Sequence, residues 1–125
     1  MKKNNKIDNL ARLEHISNSI RLIRLYTEEL DEVSFLENKI TQDAVLYQFS
    51  VIGEAINHVD REILDKFEYP WYKVRSFRNL IAHEYFNIKL TAVWNVIINE
   101  LTELENMIQK IINNVNYGFH ESLKY

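Results

Sequence analysis

Side chains that could do chemistry are concentrated in one short segment of the sequence. Arg78, Asn79, His83 and Tyr85 supply a guanidinium, an amide, an imidazole and a phenol within eight positions. Histidine is the side chain best suited to proton transfer near neutral pH. At the end of a helix these groups can converge on a groove instead of entering the core. Because Arg-x-x-x-x-His often occurs by chance, its spacing alone leaves catalysis, ligand binding and a purely structural role open.

The spacing inside this segment predicts two geometric relations. Asn79 and His83 are four residues apart, so they can form a hydrogen bond on one helix face and fix the imidazole tautomer. Arg78 and His83 are five residues apart, which places them about 140° apart around a regular helix. A shared substrate must bridge that angle, unless the helix ends first.

The other three histidines have less suggestive surroundings. His15 is expected at the surface or partly packed on the first helix, and His120 lies in the tail, where a preorganised site is not expected. Glu54, His58 and Glu62 recur at intervals of four, which is a possible metal-ligand spacing. A di-iron bundle needs Glu-x-x-His pairs, and the sequence contains none. We therefore expect a hydrated or salt-linked face there, and no metal site.

The charge of the chain limits how it can contact nucleic acid. The formal net charge is -3, which argues against a protein that coats nucleic acid by charge alone. Between Lys73 and Lys89, four cations and the single acid Glu84 leave a local charge of +3. Any RNA contact is therefore expected to be local. The alternative is a chance cluster of cations on an ordinary solvated helix face.

The composition predicts an all-α protein. The 125 residues include only 2 Gly and 1 Pro, which favours long helices over a turn-rich β architecture. The absence of cysteine excludes disulfides and thiolate metal sites. The basic N-terminus continues into amphipathic sequence and does not resemble a signal peptide, and no segment is apolar enough to span a bilayer. We expect a cytoplasmic location.

Apolar residues at steps of three and four predict an antiparallel bundle of four to five helices in a single domain, 1–125, with its core over about 8–112. The predicted helices run from the cap Asp8 to about Leu30, from the cap Thr41 to about Val59, over a short piece at 60–67, from Pro70 to between His83 and Asn87, and from Leu90 to Ile112. The first helix is expected to exit through 31–34. Asparagines after Ile112 interrupt the pattern, so the tail 113–125 is expected to be loosely held.

The motif and several other stretches resemble one family. Arg78-x-x-x-x-His83-x-Tyr85 is similar to the signature of the HepT proteins, a branch of the HEPN superfamily. The stretches 41–45, 51–55, 70–71 and 93–94 follow the same order and approximate spacing, so the resemblance covers about 10–112. Many relatives carry a basic residue between Val45 and Gly53, where this chain has Tyr47 and Gln48.

This resemblance implies a ribonuclease toxin of a type VII-like toxin–antitoxin pair. The implied partner is a minimal nucleotidyltransferase antitoxin that transfers AMP from ATP to Tyr85. HEPN nucleases work as homodimers without metal or cofactor, with two Arg/His motifs across a two-fold axis. Arg78 and His83 would then be catalytic, with Asn79 in a supporting role, and tRNA or mRNA would be the substrate.

The acid and the base that RNA cleavage requires are consistent with a dimer. Cleaving RNA through its own 2′-OH needs a base for that hydroxyl and an acid for the leaving 5′-oxygen, while each motif holds one histidine. A two-fold dimer supplies both, and Arg78 can bind the phosphate in place of a metal ion. Two other interpretations remain. One is a non-catalytic helical dimer that binds a nucleotide or partner protein through the Arg78/His83 groove. The other is a structural bundle in which His83 caps the helix C-terminus and Arg78 donates to a surface ion pair.

Overall fold

The computed structural model describes the backbone of residues 5–123 and the side chains of residues 5–117. Its helices are α1 (Lys6–Thr27), α2 (Glu32–Leu36), α3 (Lys39–His58), α4 (Arg61–Leu64), α5 (Trp71–Glu84), α6 (Leu90–Asn99) and α7 (Leu101–Leu123), with a 3-10 turn at Tyr85–Asn87. Residues 5–123 contain no strand. The predicted all-α fold is therefore confirmed. Within the described range, no helix has the length and apolarity needed to cross a membrane.

Side-chain contacts between helices show that the bundle is antiparallel, as predicted. Asn9, near the start of α1, exchanges hydrogen bonds of 2.9 and 3.1 Å with Asp60, which follows α3. Arg24, near the end of α1, forms a 3.0 Å ion pair with Glu105 at the start of α7. Both contacts join the end of one helix to the beginning of another. α1 thus packs antiparallel to α3 and to α7.

Apolar side chains at steps of three and four form the core between these helices. Burying them removes apolar surface from water, which is the main favourable term in folding. The most completely buried members are Leu13, Ile16, Ile20 and Ile23 of α1, Val45, Ile52 and Ile56 of α3, and Leu101, Ile108 and Ile111 of α7. α1, α3 and α7 therefore supply most of the deeply buried core.

Two predicted helix caps were wrong by three residues each. Asn5 caps α1 by accepting a 2.8 Å hydrogen bond from the Asp8 N–H, so Asp8 lies in the first turn, where its charge suits the helix dipole. Asn38 caps α3 in the same way, by accepting from the Thr41 N–H at 3.0 Å. In both cases another polar residue, three positions earlier, takes the capping role.

The exit predicted at 31–34 is instead the start of a helix. Asp31 and Ser34 form a reciprocal capping box that begins α2, so α1 ends at Thr27 and does not reach Leu30. Phe35 of α2 then packs against Trp94 of α6, with ring centroids 5.2 Å apart. This short helix closes one end of the bundle.

The last predicted helix is two helices, and it does not stop at Ile112. α6 ends at Asn99, and Glu100 leaves helical geometry at φ -120° before α7 begins. Both halves keep the apolar period, which conceals the break. α7 continues to Leu123 with Val115 buried, so the helix runs past its predicted end, while the looseness of the tail stays a prediction; residues 124–125 lie outside the described range.

α5 crosses α3 at Gly53, and this crossing positions the candidate site. A Cβ at Gly53 would lie 2.2 Å from the Arg78 Cβ and 2.7 Å from its Cγ. Nearby, Phe49 and Phe77 stack with centroids 5.0 Å apart. Only glycine allows the two helices to approach this closely at the base of Arg78.

We predict that Gly53→Ala destabilises the protein by about 1–3 kcal/mol, because the added methyl group overpacks the crossing. Without a clash the same change would stabilise the helix by about 1 kcal/mol. Chemical denaturation measures the difference. An increase in the free energy of unfolding would show that the crossing has room for a methyl group.

Candidate active site

α5 presents the predicted catalytic residues on two of its sides. The helix begins at Trp71, directly after Pro70, and the buried indole N–H donates to the Leu64 carbonyl at 3.1 Å. The helix continues through Glu84, so it does not end between Arg78 and His83. These two side chains therefore keep the separation of about 140° expected for a regular helix.

Arg78 is held by an acidic partner on α3. Its Nη2 lies 3.0 Å from Glu54 Oε2, and both side chains are partly exposed. Its Nη1 donates to Asn79 Oδ1 at 3.3 Å. Glu54 also contacts His58 through its other oxygen, at 3.0 Å. The guanidinium is thus oriented over the crossing at Gly53, where an exposed ion pair of this kind is weak enough for a phosphate to replace.

The predicted Asn79–His83 hydrogen bond was wrong. Asn79 Oδ1 accepts from Arg78, and the exposed imidazole of His83 makes no hydrogen bond with any described residue. Among the described residues, no group therefore fixes the tautomer of His83. An exposed imidazole of this kind remains available to a substrate or to a second chain.

Glu54 and His58 are salt-linked on α3, but α3 ends at His58, so Glu62 lies on α4 and does not continue the same helix face. The contact between Glu54 and His58 accounts for the first pair. Over the described part of the chain, no three His, Cys, Asp or Glu side chains are grouped closely enough to hold a metal ion.

A groove beside Arg78 contains residues that the sequence analysis missed or set aside. It has a volume of about 290 Å³ and is lined by Arg12, His15, Ser50, Val51, Glu54, Ala55 and Arg78. Arg12 and His15 come from α1, and only the packing of α1 on α3 brings them to Arg78. The groove therefore contains two guanidinium groups and one imidazole beside a single carboxylate. No local pattern in the sequence links α1 to α5, so this neighbourhood was not predicted.

Tyr85 is anchored to α3, away from the groove. Its phenol donates a hydrogen bond to Asp43 Oδ1, and Lys39 Nζ lies 2.9 Å from the same oxygen. Lys39 also lies 5.4 Å from the centre of the Tyr85 ring. The ring is half-buried, and Phe86 packs edge-on against it. The 3-10 turn after α5 is thereby fixed to the first turns of α3.

These contacts shift the titration of all three groups. The hydrogen bond from the Tyr85 phenol and the one from Lys39 lower the pKa of Asp43. The hydrogen bond to Asp43 raises the pKa of Tyr85, and Asp43 also raises the pKa of Lys39. At neutral pH the cluster thus holds a protonated phenol, a carboxylate and an ammonium. Asp43 and Lys39 were not predicted as site residues.

The outer side of α5 and the 3-10 turn after it carry exposed apolar side chains. Tyr72 is 65% exposed, Leu80 47% and Phe86 94%. Isolated exposed apolar residues are common on protein surfaces, but Tyr72 and Leu80 share the His83 side of α5, and Phe86 follows in the 3-10 turn.

Known proteins resemble this chain over most of its length. The family described as "Ribonuclease HepT-like" matches residues 16–111, a range that includes Arg78, His83 and Tyr85. A Methanocaldococcus jannaschii protein named "Putative RNase" is 30% identical over 111 residues, which cover 88% of this chain and 92% of that protein. The "Probable ribonuclease HepT" of Thermococcus cleftensis is 29% identical over 79% of this chain and 91% of its own. No solved structure matches the chain.

A longer relative combines this region with a second activity. A Methanocaldococcus jannaschii protein named "Gamma-glutamylcyclotransferase and putative RNase" is 33% identical over 83% of this chain, and the match covers 47% of that protein. This chain therefore spans about half the length of that relative. The family match covers far more than half of the chain, including the whole α3–α5 crossing, and the chain belongs to the HepT-like ribonuclease family.

Proposed function

We propose that this protein is a metal-independent endoribonuclease toxin that cleaves tRNA or mRNA with Arg78 and His83 and is silenced when Tyr85 receives AMP. The observation that carries the proposal is the family match over 16–111 together with the position of Arg78, which lines a groove with a second guanidinium. The partner would be a minimal nucleotidyltransferase antitoxin, which uses ATP. The ribonuclease itself would need no cofactor.

The chemistry assigns separate roles to the two residues. The RNA 2′-oxygen attacks phosphorus, its proton passes to a base, and the bond to the 5′-oxygen breaks as that oxygen gains a proton from an acid. Arg78 binds the phosphate and stabilises its developing charge. Glu54 orients the guanidinium until the phosphate takes its place.

We infer a homodimer because each Arg78–Tyr85 motif contains a single histidine. One histidine cannot be the base and the acid of a single displacement step, whereas two copies supply both groups. The exposed apolar side chains around His83 support the outer side of α5 as the surface where the copies meet. A second copy packed there would place its own imidazole close to His83.

Tyr85 lies where another enzyme could transfer AMP to its phenol. Its phenol reaches the rim of α3, where Asp43 and Lys39 are themselves exposed, and it lies two residues beyond His83. An added AMP brings a negative phosphate and a bulky adenosine to the end of α5. Both oppose the approach of RNA.

The competing reading is a non-catalytic dimer that binds a nucleotide or a partner protein through the same groove. It predicts RNA or nucleotide binding without turnover. The cleavage assay below distinguishes the two.

We predict that the purified chain cleaves RNA in EDTA, leaves a 2′,3′-cyclic phosphate or its hydrolysis product, and does not cleave DNA of the same sequence. Arg78→Ala and His83→Ala should each slow cleavage by about a hundredfold or more, since each removes a group used in the transition state. Product analysis by mass spectrometry and gel assays measure both effects. Arg61→Ala, which removes an exposed arginine of α4, is the matched control and should cleave normally.

The proposed homodimer can be tested by measuring the mass of the wild-type protein and the activity of mixtures of wild type with His83→Ala. Light scattering should show two chains, and co-refolding wild type with His83→Ala should reduce total activity as the square of the wild-type fraction. A linear decrease, or a monomer that cleaves at full rate, would overturn the composite site. Loss of all activity on adding EDTA would overturn the metal-free mechanism.

We predict that Glu54→Gln strengthens the binding of a 2′-deoxy RNA analogue by about two- to fivefold, because an exposed ion pair with Arg78 no longer competes with the phosphate. Fluorescence anisotropy at fixed salt gives the dissociation constant. The gain should disappear in the Glu54→Gln/Arg78→Ala double variant. Weaker binding by Glu54→Gln would mean that Glu54 chiefly orients the guanidinium.

We predict that Tyr85→Phe still cleaves RNA but is no longer silenced by the transferase, because the change removes the acceptor oxygen and keeps the ring. The lost hydrogen bond to Asp43 lies at the surface and should cost only about 1 kcal/mol. Cleavage is measured with and without the transferase and ATP. AMP incorporation into this variant would place the acceptor elsewhere, and loss of cleavage in a folded dimer would make the phenol catalytic.

A further inference from the structure

The phenol of Tyr85 is the one tyrosine hydroxyl, among those the structure describes, that is bonded to a carboxylate. Tyr47, Tyr72 and Tyr117 are each about two-thirds exposed, yet within residues 5–117 none of them donates to an acidic side chain. Tyr69 is half-buried, and burial together with Glu103 and Glu100 raises its pKa to about 12. Exposure alone would favour other tyrosines over Tyr85. What distinguishes Tyr85 is its pair of neighbours on α3.

The hydrogen bond to Asp43 fixes the direction of the phenol proton. Because the O–H points at Asp43 Oδ1, the lone pairs of the phenol oxygen point away from that carboxylate. The Asp43 side chain is 45% exposed and that of Lys39 is 71% exposed, so an incoming phosphate can reach this rim. The oxygen is thus oriented to attack an electrophile from solvent.

We propose that Asp43 accepts the phenol proton during modification of Tyr85 and that Lys39 binds the phosphate that becomes attached. This inference rests on the proposed silencing through Tyr85. The substrate class is a nucleoside triphosphate bound by the transferase. This chain would then supply part of the machinery for its own modification.

The step balances without any further reactant. The phenol oxygen forms a bond to the α-phosphorus, the bond from that phosphorus to the bridging oxygen breaks, and pyrophosphate leaves with its electron pair. The phenol proton passes along the existing hydrogen bond to Asp43, which later returns it to water. Nothing is oxidised or reduced.

Before the reaction, the Tyr85 phenol is protonated and Asp43 is ionised, so the phenol is not deprotonated in advance of the attack. The shared hydrogen bond lowers the pKa of Asp43 and raises that of Tyr85, so the proton stays on the phenol. Once the oxygen begins to bond to phosphorus, its proton becomes strongly acidic and the nearby carboxylate is a sufficient base. Transfer of the proton therefore accompanies transfer of AMP and does not precede it.

Lys39 is placed to balance the charge that this step creates. At rest its ammonium pairs with Asp43 at 2.9 Å. The new phosphodiester puts a negative charge beside the same carboxylate, which would otherwise be repelled. An ammonium on a flexible stem can turn from one anion to the other. Lys39 would thus exchange Asp43 for the phosphate.

The test compares Asp43→Asn and Lys39→Met with wild type in transfer of labelled AMP by the nucleotidyltransferase. An asparagine can accept a hydrogen bond but cannot take a proton, so we expect Asp43→Asn to slow transfer by about tenfold or more. Lys39→Met should slow it less, and RNA cleavage by both variants should match wild type. Asp65→Asn and Lys66→Met, two exposed residues outside this cluster, are the matched controls.

A second measurement does not depend on the transferase. In a ¹³C-tyrosine NMR titration, the Tyr85 signal is assigned by its absence from Tyr85→Phe, and its pKa should fall in Asp43→Asn because the carboxylate no longer holds the proton. An unchanged pKa would overturn the anchoring of the phenol by Asp43.

The outcomes separate the two proposals. Normal AMP transfer to a folded Asp43→Asn chain overturns this inference and leaves the proposed function intact. No AMP transfer to wild type overturns silencing through Tyr85, and this inference with it, while RNA cleavage remains independently measurable.

Discussion

The close antiparallel crossing of α3 and α5 is the constraint on which the candidate site depends. Gly53 leaves no room for a side chain at the base of Arg78, so the two backbones can meet there. α3 then supplies Glu54 to the guanidinium and, closer to its N-terminus, Asp43 to the phenol of Tyr85. One helix thus holds both the group proposed to bind phosphate and the group proposed to be modified. A shift of α5 along α3 would disturb the two together.

The same crossing concentrates positive charge in one groove of a protein whose net charge is negative. The net charge of -3 opposes indiscriminate binding of nucleic acid, and at rest the carboxylate of Glu54 offsets the charge of Arg78. Under the proposed function, a phosphate that replaced that carboxylate would meet Arg12 and Arg78, which line the groove from two helices. Attraction is therefore confined to one groove, where a short exposed ion pair can be exchanged at low cost.

The sequence predicts the parts of this protein that depend on local periodicity. The all-α fold and the motif on α5 follow from apolar spacing and from residues close together in the chain. The break at Glu100 was hidden because both flanking helices keep the same apolar period. The partners Asp43 and Glu54, and the entry of His15 into the groove, arise from tertiary packing that no local pattern encodes. The Asn79–His83 bond is absent for a local reason, since the neighbouring Arg78 donates to the amide oxygen instead.

The antiparallel arrangement also bears on how an AMP group at Tyr85 would silence the site. Asp43 and Glu54 are eleven residues apart on α3, which corresponds to about 16 Å along the helix. The phenol and the guanidinium are each anchored at one of these points, so a nucleotide on Tyr85 begins far from Arg78. His83, in contrast, lies only two residues from Tyr85 on the exposed end of α5. Under the proposed function, the added phosphate and adenosine would therefore lie at the end of α5 that also carries His83. Silencing would then act at this end of the helix and on the surface proposed for a second copy, while Arg78 keeps its pairing with Glu54.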